Sequence, residues 1–207
     1  MKQMLLRGIT LILLTTAWLP SSFAADNDSP QQVVETTVQA VIDTLQRREN
    51  KKILTESDRQ AIRAVLTDRF DFVTMTRGSI GKPWRKLDRE QRKKFVTIFT
   101  QLMEYTYGNR LSSYHGQKIT YHPATFKKKR ARVKSEVHDG DKITPVEYRL
   151  RRHKSGWKIY DIKIEGVSMI GTFRKDFRSM IERHGIDGLY DALNKKVKRL
   201  INKSRKQ

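Results

Sequence analysis

Residues 132–164, RVKSEVHDGDKITPVEYRLRRHKSGWKIYDIKI, decide the fold class. Val133, Ser135 and Val137 alternate with Arg132, Lys134, Glu136 and His138. Asp139-Gly140-Asp141 has the chemistry of a hairpin turn. Val146, Tyr148 and Leu150 then alternate with Glu147, Arg149 and Arg151. Lys154-Ser155-Gly156 is a second turn, and Trp157 to Ile164 is the next strand. Upstream, Ile119 and Tyr121 alternate with polar residues from about 117. The period of two therefore predicts an antiparallel meander of about four strands, apolar on one face and cationic on the other. In its last strand the alternation shifts around Asp161, which indicates a bulge or burial on both faces.

Outside this stretch the period is 3.6. Ser29 caps a helix with Pro30 at its first position and Gln32 completing a capping box. Val34, Val38, Val41 and Leu45 give that helix an apolar face, and Arg47 to Lys52 ends it. Ser57-Asp58 opens a second short helix bearing Ile62, Val65 and Leu66. Phe70 to Met75 reads as a further short helix followed by a turn across Gly78 to Gly81. Asp88 with Gln91 marks the cap of a long helix over 88–113. Its stripe of Phe95, Phe99 and Leu102 is widened by Val96, Met103 and Tyr107, more than one helix contact requires. After the meander, Ser168 caps a helix carrying Met169, Ile170, Phe173, Phe177 and Ile181, which stops at Gly185. Asp187 caps a last helix with Leu189, Leu193, Val197 and Leu200 and a basic tail, Lys195 to Lys206. The fold class expected is α+β: an antiparallel sheet of about four strands with several helices.

The N-terminus has the three parts of a secretory leader. Lys2 and Arg7 precede an apolar run from Ile9 to Leu19, and Ser22-Phe23-Ala24 places small residues where a signal peptidase reads. That run is about half of the roughly 20 residues a spanning helix needs. Cleavage is expected after Ala24, leaving 25–207 as one domain. There is no cysteine among the 207 residues. Thiol chemistry, Cys-bound zinc, iron–sulfur clusters and a lipid-modified N-terminus are excluded, and packing alone must stabilise the exported chain. The balance of 43 Lys+Arg against 22 Asp+Glu is strongly cationic. In an exported protein such charge points to acidic protein surfaces or anionic lipid headgroups rather than nucleic acid.

Catalytic patterns are missing. The histidines at 115, 122, 138, 153 and 184 are scattered and show no metal-ligand spacing. Ser168 has its following glycine, Gly171, three residues on, whereas a nucleophile elbow needs it at two. Asp161 and Glu165 are carboxylates embedded in an otherwise apolar stretch, and a structural role is expected for them before a glycosidase-like one. No catalytic residue, metal or cofactor is expected.

In their order and spacing, several short segments resemble the MlaC family of toluene-tolerance periplasmic phospholipid carriers. They are Asp71-Phe72 with Met75, Gly81 followed by Trp84-Arg85, Glu90-Gln91 with Phe95 and Phe99, and Thr106-Tyr107 with Leu111 and Tyr114. Pro145 to Leu150, Trp157 to Ile162, Ile164 to Ser168, Arg174 and Phe177 complete the set. Phe173, Gly171-Thr172 and Lys82-Pro83 depart from the family's habits. The resemblance implies a curved antiparallel sheet packed against the helices and enclosing an apolar cavity for acyl chains, with phospholipid as cargo. It further implies traffic between an outer-membrane lipoprotein complex and an inner-membrane ABC transporter complex with an MCE-domain subunit. A hopanoid carrier and a basic adaptor without a cavity are the alternatives. If sheet packs on helix, the facing apolar residues expected to line the cavity are Phe72, Met75, Phe99, Met103, Val146, Tyr148, Trp157, Ile159, Val167 and Met169. Arg132, Lys134, Arg149, Arg151 and Lys158 are expected to form a cationic field that docks acidic partners.

Overall fold

The computed structural model describes residues 29–205, apart from 52, 112 and 113. The expected leader 1–24, its cleavage point, residues 25–28 and Lys206 lie outside the described residues. Helices α1 (Pro30–Arg47), α2 (Glu56–Arg69), α3 (Phe72–Ile80) and α4 (Arg89–Leu111) precede the sheet. Strands β1 (Lys118–Tyr121), β2 (Thr125–Lys127), β3 (Arg130–Asp139), β4 (Lys142–His153), β5 (Gly156–Ile164) and β6 (Val167–Ser168) follow, and α5 (Met169–Arg205) closes the order. The fold class is α+β, as the two sequence periods require.

The helix starts follow from side-chain chemistry. Ser29 Oγ accepts the Gln32 N–H at 3.1 Å, and Gln32 Oε1 accepts the Ser29 N–H at 2.8 Å. On α2 the cap is Thr55 rather than Ser57, with Asp58 as the reciprocal partner. Asp88 and Gln91 exchange the same pair of bonds before α4. The last helix is broken where expected: Gly185 lies at φ 71°, a left-handed conformation that glycine reaches without steric cost.

Six strands pair antiparallel in the order β1-β3-β4-β5-β6, with β2 also on β3. Two strands beyond the expected four are too short to show a period. β1 and β2 are one edge interrupted at Pro123. His122 still donates to the Lys134 carbonyl at 2.9 Å, and a proline cannot donate next. β6 is only two residues, paired to Lys163 and Ile164. The irregularity near Asp161 is a register shift: Arg149 faces Asp161 while Leu150 faces Ile159. Tyr160 is thus the extra residue of a bulge. Without it, Ile159 and Ile162, three apart, could not share one face.

Gly78 corrects the reading of α3. The helix does not stop there but runs on to Ile80 and ends at Gly81. A Cβ at Gly78 would lie 2.9 Å from Ile170 Cγ2, so the missing side chain serves contact with α5. The Gly78 carbonyl also accepts from Arg174 Nε at 2.6 Å.

Buried side chains form three groups. The largest joins α3, α4 and α5 around Phe99, with Phe173 and Phe177 edge-on to it at 5.3 and 6.2 Å. The second covers one face of the sheet, where Val33 and Val34 of α1 meet Ala131, Val133, Tyr148, Leu150 and Ile159. The third lies between α1 and α2, with Val41, Leu45, Leu54 and Ile62. Among the described residues no helix is long and apolar enough to cross a membrane.

Candidate functional site

Where these three groups meet they do not fuse; they surround an apolar cavity of about 340 Å³. One wall is α1, through Val38, Val41, Ile42 and Leu45. A second is α2, through Ile62 and Leu66. The sheet supplies Ile119, Val137, Tyr148, Ile159 and Ile162 from four adjacent strands. α4 contributes Met103, Tyr107 and Gly108, and Met169 comes from the start of α5. The broad apolar face of α4 is thereby explained. Phe95, Phe99 and Leu102 turn into the core, while Met103 and Tyr107 turn to the cavity.

Polar groups reach the cavity from α2 and α4. Arg63 Nε and Nη2 bind Glu104 at 2.9 and 2.7 Å, a bidentate pair. Glu104 holds the Arg63 guanidinium above its already high range, against the opposing effect of burial. Arg59, only 3% exposed, also lines the cavity and lies 4.8 Å from the Tyr105 ring centroid. Gly108 makes this approach possible, since a Cβ there would lie 3.0 Å from Arg59 Nη1. Burial pushes the Tyr148 hydroxyl up, so it remains a neutral phenol on the sheet wall. The site therefore offers hydrocarbon on most sides and fixed charge at one border. Such a lining suits an amphiphile with a large apolar part.

Of the ten residues expected from sequence, Phe72, Met103, Tyr148, Ile159 and Met169 line this cavity. The other five do not. Met75 and Phe99 are fully buried in the α3–α4–α5 core, because the stripe on α4 splits between two neighbours. Val146 packs at the margin of the sheet cluster. Trp157 lines a separate groove of about 490 Å³ between α1, α2 and the β4–β5 turn. Val167 is 63% exposed, since β6 is the last strand and nothing packs over its outer residue. The expected set drew the wall from the sheet, α3, α4 and the start of α5. The stripes on α1 and α2 were visible, but their convergence on the same space depends on tertiary closure.

The cationic field is also redistributed. Cross-strand register places Arg132 beside Arg149, and Arg151 beside Lys158, on one face. Arg132, Lys134 and Arg151 are exposed there. Arg149 is instead held by Glu147 at 3.0 Å and Asp161 at 3.3 Å, and Lys158 is half-buried along the groove.

The segments that carried the family resemblance have structural tasks. Asp161, 3% exposed, accepts from Ser168 Oγ at 2.7 Å and from the Ile170 N–H at 3.2 Å. Ser168 Oγ in turn accepts the Gly171 N–H at 2.9 Å. Together they fix the start of α5 on β5, which makes Ser168 a cap. Glu165 sits exposed in the following turn at φ 50°. Asp71 caps α3 through the Thr74 N–H at 2.8 Å, donates its own N–H to the Ile159 carbonyl, and lies 3.0 Å from His153. Among the described residues no group of three or more His, Asp or Glu is placed to hold a metal.

Comparison with known proteins agrees with this architecture. A phospholipid-binding protein from Ralstonia solanacearum, solved in complex with a phospholipid, superposes with a TM-score of 0.78 at 25% identity, covering 84% of this chain and 99% of that one. The intermembrane phospholipid transport system binding protein MlaC of Haemophilus influenzae is 25% identical over 213 aligned residues, 92% of each chain. The toluene tolerance protein ttg2D of Pseudomonas putida is 32% identical over about half of each chain. The family model for MlaC protein matches residues 35–195, from the middle of α1 into the last turns of α5, and the chain belongs to that family.

Proposed function

We propose that this chain is a non-catalytic carrier of phospholipid, exported to the periplasm, whose cavity takes up acyl tails. The apolar cavity at the junction of three hydrophobic clusters carries this reading. The phospholipid held by the Ralstonia neighbour and the transport named for the Haemophilus relative support it. No cofactor is required, because binding and release need no covalent step.

The energetics fit a shuttle. Two acyl chains carry about 30 methylenes, worth about 0.8 kcal/mol each on leaving water. That gross sum exceeds what non-covalent affinity reaches. In a bilayer, however, the tails are already dry. The cavity has only to match the bilayer, and transfer in either direction then needs little driving force. Native mass spectrometry of protein expressed with its leader and purified without detergent tests the reading. One phospholipid per molecule is expected, and a bare protein would count against the carrier and for an adaptor.

For partners, the reading extends to the inner-membrane MCE-domain ABC transporter complex and an outer-membrane lipoprotein complex. Support for these comes from the family resemblance and from the intermembrane system named for the relative. Of the five cations expected to dock acidic surfaces on such complexes, Arg132, Lys134 and Arg151 are exposed. Reversing all three is expected to slow lipid transfer roughly tenfold at low salt. Screening should erase the difference at high salt. A triple variant that transfers like the wild type at low salt would refute the docking role.

A further inference from the structure

On a chain this cationic, charge alone marks no surface. One end of the sheet combines charge with an exposed aromatic group. The β2–β3 and β4–β5 turns lie side by side there. The Arg152 N–H donates to the Lys129 carbonyl at 3.0 Å, and Arg130 pairs with Arg151 across the strands. The two segments that build this end, 121–135 and 148–160, contain no Asp or Glu. Lys127, Lys128, Lys129, Arg152 and Lys154 are all exposed. Lys128 stands at φ 54°, a turn position where Gly or Asn would be the easier residue. Beside the lysines Phe126 is 63% exposed, with its ring 6.0 Å from that of Trp157, and Arg152 stacks 5.6 Å from the Trp157 centroid. The exposed apolar residues at the opposite end of the sheet, Ile143, Ile164 and Val167, lie instead near Asp139, Asp141 and Glu165 in sequence.

We propose that this end of the molecule docks on the surface of an anionic lipid bilayer. Phe126 enters the headgroup boundary while Lys127, Lys128, Lys129, Arg152 and Lys154 meet lipid phosphates. An exposed aromatic ring at a turn tip that carries several long cationic side chains has the chemistry of interfacial anchoring. Two adjacent exposed turns suit a fluid surface that rearranges around each charge. The inference rests on this patch and not on the cavity.

The test is sedimentation of the protein with vesicles of phosphatidylglycerol and phosphatidylcholine, against vesicles of phosphatidylcholine alone. The wild type is expected to bind the anionic vesicles only. Replacing Lys127, Lys128 and Lys129 together by Ser should weaken binding on the order of a hundredfold. Phe126→Ser should weaken it about tenfold, through lost apolar burial. A second triple variant, Lys196→Ser, Lys198→Ser and Arg199→Ser on the exposed side of α5, removes the same charge elsewhere and should bind within about threefold of the wild type. Thermal unfolding of each variant excludes misfolding. The proposal is overturned if the wild type ignores anionic vesicles, or if the α5 variant loses as much as the turn variant. It is equally overturned if the turn variants bind vesicles normally but fail in transfer between protein complexes, which would make the patch a docking site for an acidic protein. None of these outcomes bears on whether phospholipid co-purifies in the cavity.

Discussion

Phe99→Ala is expected to cost about 3–5 kcal/mol of folding stability, the range for truncating a fully buried aromatic residue. For a chain of this size that lowers the melting temperature by about 10 °C. Phe99 has no exposed surface and meets Phe173 and Phe177 edge-on, so its removal leaves a hole in the core that holds α4 to α5. It does not touch the cavity. Molecules that remain folded should therefore carry as much phospholipid as the wild type. Thermal unfolding together with lipid phosphorus per mole of protein checks both halves. A variant with an unchanged melting temperature and lost lipid would show that core and cavity are wrongly divided.

That division marks the limit of what the sequence discloses. The period-two stretch from Val133 to Ile164 and the caps at Ser29, Asp88 and Ser168 are local signals, and the structure follows them closely. The broken alternation around Asp161 pointed to a bulge or to burial on both faces, and the register resolves it as a bulge at Tyr160. Local signals do not say which of two neighbours an apolar residue faces. Met75 and Met103 look alike in sequence, yet one is sealed against α5 and the other borders the cavity. The helical stripe of Val38, Val41 and Leu45 reads equally well as core or wall. It is both: Val41 and Leu45 pack against Leu54 and Ile62, and the same stripe borders the cavity. Gly78 likewise resembles a turn residue, whereas it lies within α3 and admits Ile170 closely; Gly108, inside the expected long helix, admits the Arg59 guanidinium.

The cavity itself is best tested by a charge on a wall that the empty protein can tolerate. Leu66 and Ile162 both line the cavity, on α2 and β5, and both are only half-buried. A carboxylate at either position can keep some water while the cavity is empty. An acyl chain in the cavity would remove that water without supplying a hydrogen bond or an opposite charge. Stranding a charge against hydrocarbon costs at least several kcal/mol. Leu66→Asp and Ile162→Asp are therefore expected to fold but to reduce co-purifying phospholipid at least about tenfold. Ile62, 5% exposed, is the poorer choice, since a charge there would oppose folding itself. Val73→Asp supplies the control: Val73 is 55% exposed and away from the cavity, so its variant should keep its full cargo. Circular dichroism establishes the fold and phosphorus analysis the cargo. Native folding with undiminished phospholipid in both wall variants would place the lipid elsewhere, and the groove along Trp157 would then become the site to examine.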